Sequence, residues 1–227
     1  MKNFSDSVKY IGADDKDLDL FESQYIVPNG VSYNSYVILD DKIAVMDTID
    51  ERKTDEWFAN LEKELGGKTP DYLVISHLEP DHSANIKKFT EKYPSAALVG
   101  TAKTFAMLPQ FFDIDASVEK ITVKEGDCLS LGSHELTFIM APMVHWPEVM
   151  VEYEKRKRFF SQPMLSVNSA RLILMRTGLA RQGVIISTLW ENTAAPFRLC
   201  LKKRQILRLK QSARFTALFL QKILNIT

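Results

Sequence analysis

The sequence predicts a layered α/β (α+β) fold over residues 1–154, followed from residue 155 to 227 by a tail of foreign composition. Three observations lead there. Short β-rich runs alternate with amphipathic helical stretches, the pattern of sheets covered by helices. A buried-type strand runs straight into a loop rich in metal-ligand residue types. Finally, the net charge of zero conceals a split: residues 1–154 carry 14 Lys+Arg and 28 Asp+Glu, net −14, whereas residues 155–227 carry 15 Lys+Arg and the single acid Glu191, net +14. The tail also has no Asp, His or Tyr. Compositions so unlike rarely share one folded unit, and the chain is expected to change character near Lys155.

Within the first part, Ser35-Tyr-Val-Ile-Leu and Lys42-Ile-Ala-Val-Met-Asp are β-rich runs joined at Asp40-Asp41, a hairpin signal. Residues 52–65 place Trp57, Phe58, Leu61 and Leu65 on one helical face, and Gly66-Gly67 closes that helix. Asp71-Tyr-Leu-Val-Ile-Ser is a short strand ending at His77. A helix is expected over 83–93, a strand over 96–99 and a helix over 101–111. Residues 118–123 and 135–140 read as strands around turns at Gly126 and Gly132, and 149–153 as another. Past 155, residues 172–175 and 184–187 are candidate strands and 199–220 a basic amphipathic helix.

No run of about 18 uncharged apolar residues is present, which predicts no transmembrane helix. The start, Met1-Lys-Asn-Phe-Ser-Asp, lacks the apolar stretch of a signal peptide. Cys128 and Cys200 have no paired-ligand spacing and read as reduced thiols of a cytoplasmic protein.

Chemistry concentrates in Ser76-His77-Leu78-Glu79-Pro80-Asp81-His82, where a buried strand ends. Loops at strand ends can converge several side chains on one point. Two imidazoles and two carboxylates in six residues, stiffened by Pro80, would compete for protons if buried without a shared cation. A fifth candidate, His145, stands at the end of the 135–140 strand in Ala141-Pro-Met-Val-His-Trp-Pro-Glu.

The HxExDH motif, followed after 62 residues by a His in a His-Trp-Pro context, resembles the flavodiiron proteins, or A-type flavoproteins. The resemblance runs from about Tyr10 through Glu154 and includes Tyr33-Asn-Ser-Tyr and Asp47-Thr-Ile-Asp. It implies a metallo-β-lactamase αββα sandwich carrying two irons, joined in the family to an FMN-binding flavodoxin domain. It further implies a homodimer, electron transport, and reduction of O2 to water or of NO to N2O. Hydrolytic relatives carry HxHxDH, so Glu79 in place of His makes a harder, more anionic site that favours iron over zinc. Carried over, His77, Glu79 and His145 would bind one iron and Asp81, with His82 nearby or coordinating, the other. The bridging Asp of the family, counted on from His145, falls at position 164, which is Met164, and no His follows His145. The resemblance therefore predicts an impaired site with at most partial iron occupancy. No flavodoxin segment is read in the chain.

The tail reads as a frameshifted product. Gln162-Pro-Met and the residues after it can be back-translated so that a shifted frame gives Ala-Asp-Ala-Phe-Gly-Lys-Phe, the family's type of sequence around the bridging Asp. In the same frame Ser212-Ala-Arg-Phe-Thr-Ala-Leu yields Cys-Pro-Leu-His-Gly-Pro, resembling the segment of the final His. The competing reading gives Lys155-Arg-Lys-Arg and Lys202-Lys-Arg a nucleic-acid or anionic-membrane contact, without a recognised motif beside them. The remaining alternative is a zinc-dependent hydrolase of the same superfold.

Overall fold

The structure is a computed structural model and describes residues 5–21, 25–27, 30–143, 145–154 and 159–161. Expectations for residues 162–227 lie outside the described residues.

The N-terminal part is a series of short strands: β1 (Val8–Tyr10), β2 (Ala13–Asp15), β3 (Leu20–Phe21), β4 (Tyr25–Ile26), β5 (Val31–Tyr33), β6 (Tyr36–Ile38) and β7 (Ala44–Met46). Helix α1 (Thr54–Leu65) follows and buries Trp57, Leu61 and Leu65, spaced four apart on one stripe. It ends where Gly66 takes a left-handed φ of 57° and its N–H bonds back to Glu62 O. Then come β8 (Tyr72–Val74), the short α2 (Pro80–Ser83), α3 (Ile86–Lys92), β9 (Ala97–Thr101), α4 (Ala102–Met107) and β10 (Lys120–Val123). The strands β11 (Cys128–Ser130), β12 (Glu135–Met140), β13 (Met150–Glu154) and β14 (Phe159–Ser161) close the order.

Six strands form one mixed sheet in the order β1-β6-β7-β8-β9-β10, with β7, β8, β9 and β10 parallel to one another. The last four strands form an antiparallel sheet in sequence order. Alternation along the strands makes two separate cores. Val37, Val45, Leu73 and Leu98 pack with Trp57, Leu61, Ile86 and Phe89 of the helices. Their neighbours Ile38, Met46, Val74 and Val99 pack with Leu136, Phe138 and Met150 of the second sheet. Helices, sheet and sheet are thus three successive layers among the described residues, three of the four that the αββα expectation calls for.

The helix expected over 83–93 is broken, because Pro80 starts α2 early and Asn85 separates it from α3. Asn85 donates to Ile49 O (2.7 Å) and accepts from Thr54 Oγ1 (2.6 Å), tying the break to the start of α1. The strand β14 lies beyond the boundary expected at residue 154 and pairs with β13, Glu154 opposite Phe159. Among the described residues no helix is long and apolar enough to cross a membrane.

Candidate metal centre

Two loops from different sheets build the site. The first leaves β8 at Ile75, whose N–H is held by Val99 O (2.8 Å), and continues through His77 to α2. Pro80 at the first helical position has no N–H to leave unsatisfied and sets φ for the turn. The second loop joins β12 to β13 and carries His145 and Trp146; Met143 within it has φ 65°, and its N–H donates to Trp146 O.

His77, Glu79 and His145 each offer one ligand atom, and these atoms lie within 4.8 Å of one another. Glu79 Oε2 sits 3.1 Å from His77 Nε2 and 2.9 Å from His145 Nε2. His77 is buried, whereas His145 is partly exposed, so the site opens on the His145 side. The Trp146 ring stands edge-on to His77, centroids 5.3 Å apart, and restricts how the imidazole can turn. Two imidazole nitrogens and one carboxylate oxygen are the donor set of mononuclear non-haem iron sites.

Asp81 and His82 lie on α2 beside this group, with His82 Nε2 3.3 Å from Asp81 Oδ2 and the His82 ring 5.7 Å from that of His77. They do not join the three-residue cluster. Among the described residues, Asp81 Oδ1 and His82 Nδ1 are buried without a hydrogen-bond partner, the condition of donor atoms left for a cation. All five expected ligand residues therefore gather at one end of β8, three converging and two adjacent. The fourth histidine, His134, is elsewhere: its Nε2 meets Ser7 Oγ (2.9 Å) and its Nδ1 faces Glu154 Oε1 (3.1 Å).

The electrostatics are dominated by buried carboxylates. Burial alone would lower the His77 pKa, but Glu148 and Glu79 outweigh it and hold the imidazole at about 9. His82 is pulled down by burial and raised more by Asp81 and Asp47. Beneath the loop, Asp47 takes a positive φ of 53° and accepts the Ser76 N–H (2.7 Å), while Ser76 Oγ donates to Glu152 Oε2 (3.0 Å). Burial raises the pKa of both Asp47 and Glu152. Sequence reading gave no role to Asp47, Glu148 or Glu152. No local pattern signals the last two: Glu148 lies in the turn before β13 and Glu152 within it, and each meets the loop after β8 only through the packing of the two sheets.

A family model described as the ODP family beta lactamase matches residues 31–175, more than half of the chain. The chain belongs to this family. It is a β-lactamase-like domain of the flavodiiron type, with relatives named as diflavin flavoproteins and nitric oxide reductases. It is 37% identical over 141 residues to diflavin flavoprotein A 1 of Synechocystis sp., covering 62% of this chain and 24% of that protein. It is 36% identical over 151 residues to a nitric oxide reductase of Moorella thermoacetica, covering 66% of this chain and 37% of that protein. The ODP-family chain thus spans between about a quarter and two fifths of these relatives' length. By fold it is similar to the flavodiiron protein of Giardia intestinalis, with a TM-score of 0.75 at 22% identity over 90% of this chain and 51% of that one. Rubredoxin oxygen:oxidoreductase of Desulfovibrio gigas gives a TM-score of 0.74 at 23% identity, over 99% of this chain and 60% of the other.

Proposed function

We propose that this chain supplies the metal-binding part of a flavodiiron-type reductase acting on O2 or NO, and that in the sequence present here it holds one iron through His77, Glu79 and His145. The observation that carries the reading is the convergence of His77 Nε2, Glu79 Oε2 and His145 Nε2. When bound, iron would supply the electrons and the open coordination positions that O2 or NO requires. Glu79 keeps the site anionic, which suits iron. Buried His77 and the Trp146 ring exclude water from the inner wall, while the partly exposed His145 leaves an approach for a small diatomic. Asp81 and His82, whose Oδ1 and Nδ1 have no hydrogen-bond partner among the described residues, stand beside the cluster as donors for a second ion.

The family's two-metal arrangement needs a bridging Asp, and Met164 stands where the count places it. A thioether is a poor ligand for a hard ferrous ion. We propose accordingly that this chain does not hold a tight iron pair and that multi-electron reduction is impaired, with FMN serving as electron donor only in intact relatives. The origin of the departure is a reading-frame change near Lys155. The charge reversal there supports it. The family model nevertheless matches to residue 175. No observation favours the zinc hydrolase or the nucleic-acid tail.

Anaerobic titration of the purified chain with Fe(II), followed by NO and O2 consumption with a chemical reductant, tests the reading. One iron per chain with little turnover is expected; two irons with sustained N2O production would overturn it. Sequencing the gene from codon 150 through codon 220 tests the frame change. An alternative frame coding neither the Asp nor the His would remove it.

A further inference from the structure

We propose that Glu148 is the positioning residue of the centre: it fixes the tautomer and orientation of His77 and locks the two ligand-bearing loops together before any metal arrives. This rests on the metal reading above. Glu148 is buried, and one of its oxygens, Oε1, accepts from both His77 Nδ1–H (2.8 Å) and Leu78 N–H (3.0 Å). With Nδ1 committed as a donor, Nε2 is the nitrogen left for coordination, and Nε2 is the one that faces Glu79 Oε2. Metal-ligating histidines are held in this way by carboxylates elsewhere, and the charge on the carboxylate makes the imidazole a better donor.

The placement of Glu148 adds a second role. It stands three residues after His145, on the chain entering β13, yet it grips His77 and Leu78 on the loop leaving β8. Two residues on, Met150 N–H donates to Ser76 O (3.1 Å); two further, Glu152 Oε2 accepts from Ser76 Oγ (3.0 Å). Met150 and Glu152 belong to β13 and Glu148 to the turn just before it, so one short stretch at the start of that strand is stitched to the three consecutive residues 76–78 that follow β8. Glu148 is the last stitch and the only one of the three that touches a candidate ligand. The carbonyl of Glu148 itself accepts from Thr101 Oγ1 (3.3 Å), which steadies it from β9. Moving Glu148 would therefore displace His77 and His145 relative to each other.

The test uses the full chain and Zn(II), whose complex is diamagnetic, with affinity read by competition against a chromophoric chelator. In parallel, NMR follows the exchange-protected Nδ1–H of His77. The parent should bind zinc and His145→Ala should bind it more weakly; if neither holds, the metal reading fails and this proposal with it. Given those results, Glu148→Ala is expected to lower zinc affinity about 10- to 100-fold and to abolish the protected resonance. Glu148→Gln, which keeps an acceptor oxygen, should restore much of the affinity. An E148A affinity indistinguishable from the parent, or an E148Q protein as weak as a folded E148A, overturns the proposal while leaving the metal reading intact. Should E148A fail to fold, E148Q decides: a resonance still protected but moved, as a weaker bond to a neutral acceptor requires, supports the role. A resonance unmoved or lost overturns it.

Discussion

Raising the pH of the EDTA-stripped chain should cost it stability through His77. The imidazole has a pKa of about 9 in the folded protein against an ordinary value of 6.5, because Glu148 and Glu79 favour its cation despite burial. The folded pKa is the higher one, so the folded state binds the extra proton. Its contribution is fully present below pH 6.5 and is lost as the pH rises through about 9. At about 1.4 kcal/mol for each unit, the difference amounts to about 3 kcal/mol. Urea unfolding followed by tryptophan fluorescence, in steps across that window, measures it. His77→Gln is the control, since it removes the titrating ring. Asp47 and Glu152, raised by burial, tilt the curve in the same direction, but they do so in both proteins. The parent's stability should fall across the window and the variant's should fall less. A parent curve that stays level or climbs, or a slope equally steep in His77→Gln, would refute this electrostatic account.

Other expectations follow from single side chains. Glu79→Ala removes the oxygen common to both imidazole contacts and should abolish measurable Fe(II) binding in anaerobic titration, while far-UV circular dichroism stays unchanged. Phe138, fully buried between the two sheets, should cost about 3–5 kcal/mol when cut to Ala, read as a lower urea midpoint. Asn85→Ala leaves the Ile49 carbonyl and the Thr54 hydroxyl without their buried partner and should cost about 1–3 kcal/mol in the same assay.

Much of the architecture was legible because each element advertises its surroundings. Trp57, Leu61 and Leu65 recur at helical spacing and face the core, and Leu73-Val74-Ile75 is apolar throughout because both faces of β8 are covered. The short strands β1 to β5 were not read. Two or three residues are too few for alternation to show, and Asp14 and Asp15 in β2 look like loop residues until Arg52 Nε is seen 2.6 Å from Asp15 Oδ2. The strand expected at 118–123 begins only at Lys120, since Ser117 and Val118 are held in a turn by Asp115. At the centre, residue types and spacing singled out the four side chains of residues 77–82 and the family resemblance added His145; of these, His77, Glu79 and His145 converge. The supporting carboxylates were invisible for a physical reason. Glu148 and Glu152 owe their roles to register with the end of β8, a long-range relation that no local pattern encodes.

The most direct test of the central claim is the metal content of the anaerobically iron-loaded, desalted chain, compared with a variant lacking His77, Glu79 and His145 together. The account predicts one iron per chain in the parent and none in the variant. Two tightly held irons in the parent, or an iron that survives loss of all three side chains, would contradict it.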